Sequence, residues 1–406
     1  MAEPLPEVPD LFSDAFLQDQ YRTYAWLVEH RPVSRVRWVD GTELWLVTRY
    51  DDAKALLADP RVVNDLKKQT RIDLAAMSGL PPEVQPYFLH NVLNTDPPDH
   101  TRLRKLVNKA FTPRRVQELR PRVQEITDGL LDRIGTREEV DLLEEFAYPL
   151  PVTVICELLG VPVADRGRFR AWTAELIAAN PEQPERIAPA ARQLLDFTFE
   201  LIEKRRHDPG EDLVSALVQV HDEDGDRLSD QELAAMVITL LVAGHETTVH
   251  LIGNGTYALL THPDQLARLR SDPGLLPRAI EEFLRFHSPA EIAGMRYTIA
   301  PVEVSGVTIP AGEPVLIALG AADRDPARFP DADRLDVTRD DNPHVAFGHG
   351  LHFCLGAALA RAEGEIAIGA LLRRFPDLAL AVPPEEIRWR PTFLRGLTRL
   401  PVRLRA

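Results

Sequence analysis

Between Ser229 and Thr261 the chain carries 33 residues patterned as one helix, and no other feature limits its fold so strongly. Ser229 and Glu232 form an S-x-x-E capping box at the start, and Pro263 lies just past the end. At 1.5 Å per residue such a helix is roughly 50 Å long. Its middle is apolar on nearly every face, which calls for burial all round. A helix like this crosses the interior of a molecule built around it. Its longest apolar stretch, Leu233 to Gly244, is interrupted by His245 and Glu246 and is too short to span a bilayer.

The rest of the chain is patterned to surround it. A helix is expected near Gln20 to Glu29. The run Val33 to Thr48 alternates about Asp40-Gly41, a dipeptide suited to a tight hairpin, which predicts two strands. Residues 60–96 are irregular, and a loop that long in a compact domain usually serves function. His100 to Leu269 reads almost wholly as helix. Short β-like runs follow at Val302 to Val307 and Pro314 to Leu319, and a last helix starts after Cys354 and ends near Phe375. The 34 prolines are spread through turns, and no repeat or linker divides the chain. One domain over residues 1–406 is expected, mainly α, with a smaller β-sheet region.

Charge and cysteine content narrow the partners. A net charge of −15 offers no surface for tracking phosphates, so nucleic acid is not an expected partner. The two cysteines, Cys156 and Cys354, build no framework of bridges, which fits a reducing compartment. Met1 to Pro9 holds no apolar stretch for export or anchoring. The expectation is a cytoplasmic monomer with no membrane partner.

The segment Phe347-Gly348-His349-Gly350-Leu351-His352-Phe353-Cys354-Leu355-Gly356 carries the chemistry. Its glycines let backbone approach something flat and bulky. Cys354 precedes an alanine-rich helix, and a helix N-terminus favours a thiolate. A buried inert cysteine, or zinc held with His344, His349 and His352, are the competing readings; the zinc reading lacks paired-ligand spacing and leaves the glycines unexplained. The segment resembles the F-x-x-G-x-[RH]-x-C-x-G signature of the cytochrome P450 family at every fixed position. That resemblance implies the cytochrome P450 fold, a helical bundle around a long central helix. It also implies haem b ligated through Cys354, with Phe347, Gly348 and Gly356 beside it. Thiolate ligation pushes electron density onto iron and favours O–O cleavage.

Other segments extend the resemblance over roughly residues 20 to 400. Ala243-Gly244-His245-Glu246-Thr247-Thr248 is similar to the family's A-G-x-[DE]-T-[ST] motif; alone, a Gly-Thr patch in a helix is more often a packing or kink site. The resemblance makes Thr247 the hydroxyl beside bound oxygen, Glu246 a proton donor to the relay, and Ala243 a cofactor neighbour. Glu282 and Arg285 match its E-x-x-R, with Arg334 as the implied third member. Asp323 stands where Asn is commoner, and Leu335 where Phe is. His100 and Arg104 match D-P-P-x-H-x-x-x-R and, with Arg296 and His352, are the implied propionate partners. Cys156 is expected to be a packed core residue.

By the same resemblance the chain is a monooxygenase that uses dioxygen and two electrons to hydroxylate or epoxidise a lipophilic macrolide, polyketide, steroid or secosteroid. Oxidative coupling and peroxygenation are the alternatives on the same fold. Electrons come from a ferredoxin or flavodoxin and an NAD(P)H-dependent reductase. Residues 100–123 hold eight Lys or Arg and one Glu, so Arg102, Lys105, Lys109, Arg114 and Arg115 are the candidate docking patch for an acidic carrier. Apolar candidates for the substrate wall are Leu93, Leu241, Val242, Ala243, Ile292, Phe393 and Leu394, with Glu83 or Glu291 available to a cationic substrate group.

Overall fold

The long apolar run does not stay one helix. In the computed structural model it forms helices Asp230–Ala243 and Glu246–Thr261, with a turn at Gly244-His245 between them. The capping box is present as expected, Ser229 and Glu232 each bonding the other's backbone amide. The break has a local cause. A Cβ on Gly244 would clash with the Leu240 carbonyl oxygen and lie 2.9 Å from the Ile155 side chain, so glycine suits this turn. One residue on, the His245 imidazole takes up the Leu241 carbonyl at 2.8 Å, where an unbroken helix would use a backbone amide. The stretch Asp230–Thr261 is long and apolar enough to cross a membrane, which corrects the shorter estimate from sequence; 72% of its apolar window is buried inside the protein, as in a core helix.

The structure describes residues 10–11, 13–38, 41–65, 78–178, 186–221, 225–390 and 394–405. Met1 to Pro9, Asp40 and Phe393 lie outside them. Two compact units make up the chain, one of residues 1–63, 124–147 and 247–406, the other of residues 64–123 and 148–246. Each draws on separated stretches of sequence.

The first unit holds every described strand: β1 (Val33–Arg37), β2 (Glu43–Val47), β3 (Val62–Val63), β4 (Glu139–Asp141), β5 (Arg296–Thr298), β6 (Val302–Val304), β7 (Val307–Ile309), β8 (Pro314–Ile317), β9 (Ala379–Leu380) and β10 (Pro401–Arg403). The hairpin is found with Val33 opposite Val47, and Gly41 in its turn has φ +87°. The main sheet runs β1-β2-β8-β5-β3. A second sheet, β4-β10-β9, closes the chain's end onto residues near 140. Val47, Leu56, Ile309, Val315, Ile317 and Phe329 pack in the core beside the main sheet. β-branched residues recur on these strands because they fit a pleated, half-buried surface. Helices Leu276–Phe286 and Ala357–Arg374 pack on one another in this unit.

Among its described residues the second unit has helices joined by turns and irregular segments, and none of the strands β1 to β10. Helix Ile187–His207 packs along Arg166–Ala178, Leu213–Gln219 and Asp230–Ala243. Helix Asp99–Ala110 buries His100, Leu103, Leu106 and Val107, with Asp99, Lys105 and Lys109 exposed. Cys156 is buried in helix Pro149–Leu158, and burial pushes its thiol up to about 12. It is an inert core residue, as expected.

Candidate active site

Three tight backbone features of the first unit set Cys354. Gly348 and Gly350 both adopt left-handed backbone, at φ +72° and +74°, which an L side chain resists. A Cβ on Gly350 would come within 2.9 Å of the Leu57 carbonyl. The Cys354 amide donates to the Phe347 carbonyl at 2.9 Å, folding the segment back on itself. Helix Ala357–Arg374 starts three residues later, and the position of a Gly356 Cβ would be 4.0 Å from Sγ. Cys354 is thus a partly exposed thiol near a helix N-terminus, a setting that favours the thiolate.

A charged network that the sequence did not announce braces this loop. Arg361, one turn along the helix, stacks 4.5 Å over the Phe347 ring and bonds Glu281 through two nitrogens at 2.7 and 2.8 Å. His344 meets the same carboxylate at 3.0 Å. Burial pushes the Glu281 carboxyl up, but the bonds to His344 and Arg361 outweigh it and hold it at about 2. Arg361 also senses charge on Cys354.

Glu282 and Arg285 are fully buried and joined by two 2.8 Å bonds. The third member differs from expectation. Arg334 is exposed and gives only its carbonyl, which accepts from Arg285 at 3.2 Å. Arg339 supplies the second guanidinium, donating to Glu282 at 3.1 Å, with Asn342 at 3.2 Å and the Asp336 amide at 2.9 Å. A buried carboxylate needs its lone pairs filled, and the loop after Arg334 brings the donors. Sequence spacing in an irregular loop gives no sign of which arginine turns inward. Asp323 is fully buried too. Its backbone carbonyl accepts from Arg285 at 3.0 Å, and its carboxyl accepts from the Val345 amide at 2.7 Å.

Of the implied propionate partners, Arg296 and His352 lie in the first unit. Arg296 opens β5 opposite Val315 and is only 5% exposed, a guanidinium with little water. His352 is partly exposed, two residues before Cys354. His100 and Arg104 lie in the second unit on one helix. His100 is buried, and burial first, then the charge of Arg104, lower its pKa, so the two side chains do share a face.

The oxygen-motif residues follow the helix break. Glu246 is buried, Thr247 partly so. Upstream, Leu241 is fully buried, Val242 is partly exposed and Ala243 exposed, so the open side of helix Asp230–Ala243 belongs to the last two. In the first unit, backbone bridges pair Ala290 with Leu394 and Ile292 with Ala318, which sets Ile292 and Leu394 on neighbouring segments. Leu93 is 44% exposed. Glu291 is no open carboxylate: it is buried, accepts from the Tyr21 hydroxyl at 2.7 Å and faces Arg395 at 3.8 Å. Glu83 pairs with Arg192 at 2.7 Å.

The basic run is largely committed within its own unit. Arg102 pairs with Asp226 and Glu232, Arg114 with Glu118, and Arg115 bonds the Ala110 and Glu211 carbonyls. Lys105 and Lys109 are exposed, Lys109 reaching the His221 carbonyl at 3.3 Å. Among the described residues no three His, Cys, Asp or Glu gather as a metal-ion site, which disposes of the zinc reading there. One thiol at a helix start, a glycine-opened loop and a buried guanidinium fit a flat metal-centred cofactor with anionic edges.

A family model described as Cytochrome P450 matches residues 171–273 and 274–397. The 6-deoxyerythronolide B hydroxylase of Saccharopolyspora erythraea is 51% identical over 401 residues, covering 98% of this chain and 99% of the relative. The vitamin D(3) 25-hydroxylase of Pseudonocardia autotrophica is 50% identical, covering 98% and 96%. The structure of the tirandamycin C-bound P450 monooxygenase TamI matches with a TM-score of 0.89 at 43% identity, covering 99% of this chain and all of that one.

Proposed function

This chain belongs to the cytochrome P450 family and is a haem-thiolate monooxygenase, and we propose that Cys354 is the ligand of its iron. When bound, the haem supplies the activation of dioxygen and the oxidising power for inserting one oxygen atom into a C–H or C=C bond. The substrate is a lipophilic natural product of macrolide, polyketide, steroid or secosteroid type. Relatives at about half identity are named for 6-deoxyerythronolide B and for vitamin D(3), which supports that range.

The chain's own residues do the rest. Cys354 holds its negative charge at the start of helix Ala357–Arg374. Arg296, His352, His100 and Arg104 neutralise the two propionates. Glu246 delivers a proton and the Thr247 hydroxyl passes it on. Val242, Ala243, Ile292 and Leu394, with Leu93 and Phe393, exclude water and orient an apolar substrate by shape. Phe347, Gly348 and Gly356 leave room for a flat ring beside the thiolate. One catalytic domain spanning residues 1–406 works in the cytoplasm as a monomer. It receives electrons from an acidic ferredoxin or flavodoxin, reduced by an NAD(P)H-dependent reductase.

The observation that carries this reading is Cys354 on its folded-back glycine loop at a helix start. Cys354→Ala tests it through the ferrous carbon monoxide spectrum. The thiolate-type red-shifted band is expected to vanish from the variant. Its persistence would remove Cys354 as ligand.

A further inference from the structure

The turn at Gly244-His245 points one side chain at Glu246. His245 is fully buried, with its Nδ1 2.8 Å from the Leu241 carbonyl. A carbonyl only accepts, so Nδ1 carries the proton and a neutral ring keeps its lone pair on Nε2. That Nε2 lies 4.0 Å from the Glu246 Oε2 and has no hydrogen-bond partner of its own. Tyr148 and Phe169 hold the ring edge-on from two other segments, with centroids at 6.0 and 5.8 Å. Arg170 sits 4.5 Å over the Tyr148 ring. Burial lowers the imidazole pKa, only partly opposed by the Glu246 charge and the Leu241 carbonyl, so the ring is neutral at neutral pH.

We propose that His245 is a positioning residue for Glu246, a neutral acceptor that docks the carboxyl while it carries a proton and releases it once the proton has left. The proposal rests on reading Glu246 as the proton donor. A carboxylic O–H donates to Nε2 after a small side-chain rotation closes the 4.0 Å gap. An ionised carboxylate has no proton to give Nε2 and is repelled by its lone pair. Proton load and side-chain position are thereby coupled. No proton moves onto the imidazole. Nδ1 serves the Leu241 carbonyl, and Nε2 is the ring atom left to meet Glu246.

The test uses the holoenzyme with a ferredoxin and its reductase, measuring reductant consumption in H2O and D2O without added substrate. Glu246→Gln and His245→Phe are each expected to slow it about tenfold or more and to enlarge the solvent isotope effect. His245→Gln, whose amide oxygen reaches the Nε2 position, should stay within about threefold of the parent. Every variant is first matched to the parent in its carbon monoxide spectrum; if His245→Phe does not load haem, His245→Asn takes its place. A slow Glu246→Gln beside a parent-like His245→Phe overturns the role of His245 and leaves the relay standing. A parent-like Glu246→Gln overturns the relay reading and this inference with it. His245→Gln as slow as His245→Phe reduces His245 to packing and overturns the proposal. An independent readout is the infrared band of the protonated Glu246 carboxyl, identified by its loss in Glu246→Gln. Its carbonyl stretch should rise in His245→Phe as the hydrogen bond is lost, and an unchanged frequency, or no such band at any pH, overturns the proposal.

Discussion

Asp323 shows how one side chain can set a pH limit. Burial lifts its carboxyl to about 7, while one oxygen has no hydrogen-bond partner. The folded pKa lies above the unfolded one, so the contribution to stability is complete below about pH 4 and is lost as pH rises through 7. Asp323→Asn keeps an acceptor for the Val345 amide and never ionises. The two proteins should be similar in stability near pH 4, with the variant ahead by up to roughly 4 kcal/mol at pH 8. Urea unfolding at a series of pH values measures this, and a gap that stays constant with pH would refute it. The sequence marked Asp323 only as an uncommon substitute, since an aspartate in a turn ordinarily faces water. Cys354 was legible because the chemistry demands its neighbours too: the glycines and the following helix are local, and local sequence records them.

Among elements, the network around helix Leu276–Phe286 separates what spacing reveals from what it hides. Glu282 and Arg285 sit three apart on one helical face, a relation the period dictates. The partner from the loop obeys no period, and the structure replaces Arg334 with Arg339. Thermal or urea unfolding can tell the two apart. Arg339→Ala should lose roughly 1–3 kcal/mol, because a buried acceptor on Glu282 is left short of a donor. Arg334→Ala should be close to neutral, since its contribution is a carbonyl that alanine also has. Equal losses would favour the original assignment. The helix break at Gly244-His245 was hidden for a similar reason. Apolar periodicity continues across it, and that pattern does not record the His245 ring taking up the Leu241 carbonyl in place of a backbone amide. Strands β4, β9 and β10 are two or three residues long, too short to show alternation.

For the molecule as a whole, the acidic net charge makes any exposed basic surface a contrast that an acidic electron carrier would feel. Lys105 and Lys109 are exposed cations of the 100–123 run. Lys105→Glu combined with Lys109→Glu should slow reduction by a ferredoxin several-fold at low ionic strength, and the difference should fade as salt is added. Identical rates at every ionic strength would move the docking surface elsewhere. The pairing of β10 with β4 carries a further consequence for how the protein is made. Val402 lies opposite Val140, about 260 residues apart in the chain. On a ribosome adding about 5–20 residues per second, the segment around Val140 waits roughly 10–50 s for its neighbour strand to be synthesised. The 64–123 and 148–246 unit has all its residues well before that. The nascent chain therefore holds a helical unit with all its residues while the segment near residue 140 still lacks β10 and β2 still lacks β8, and a chaperone that covers unpaired strands would find targets at both.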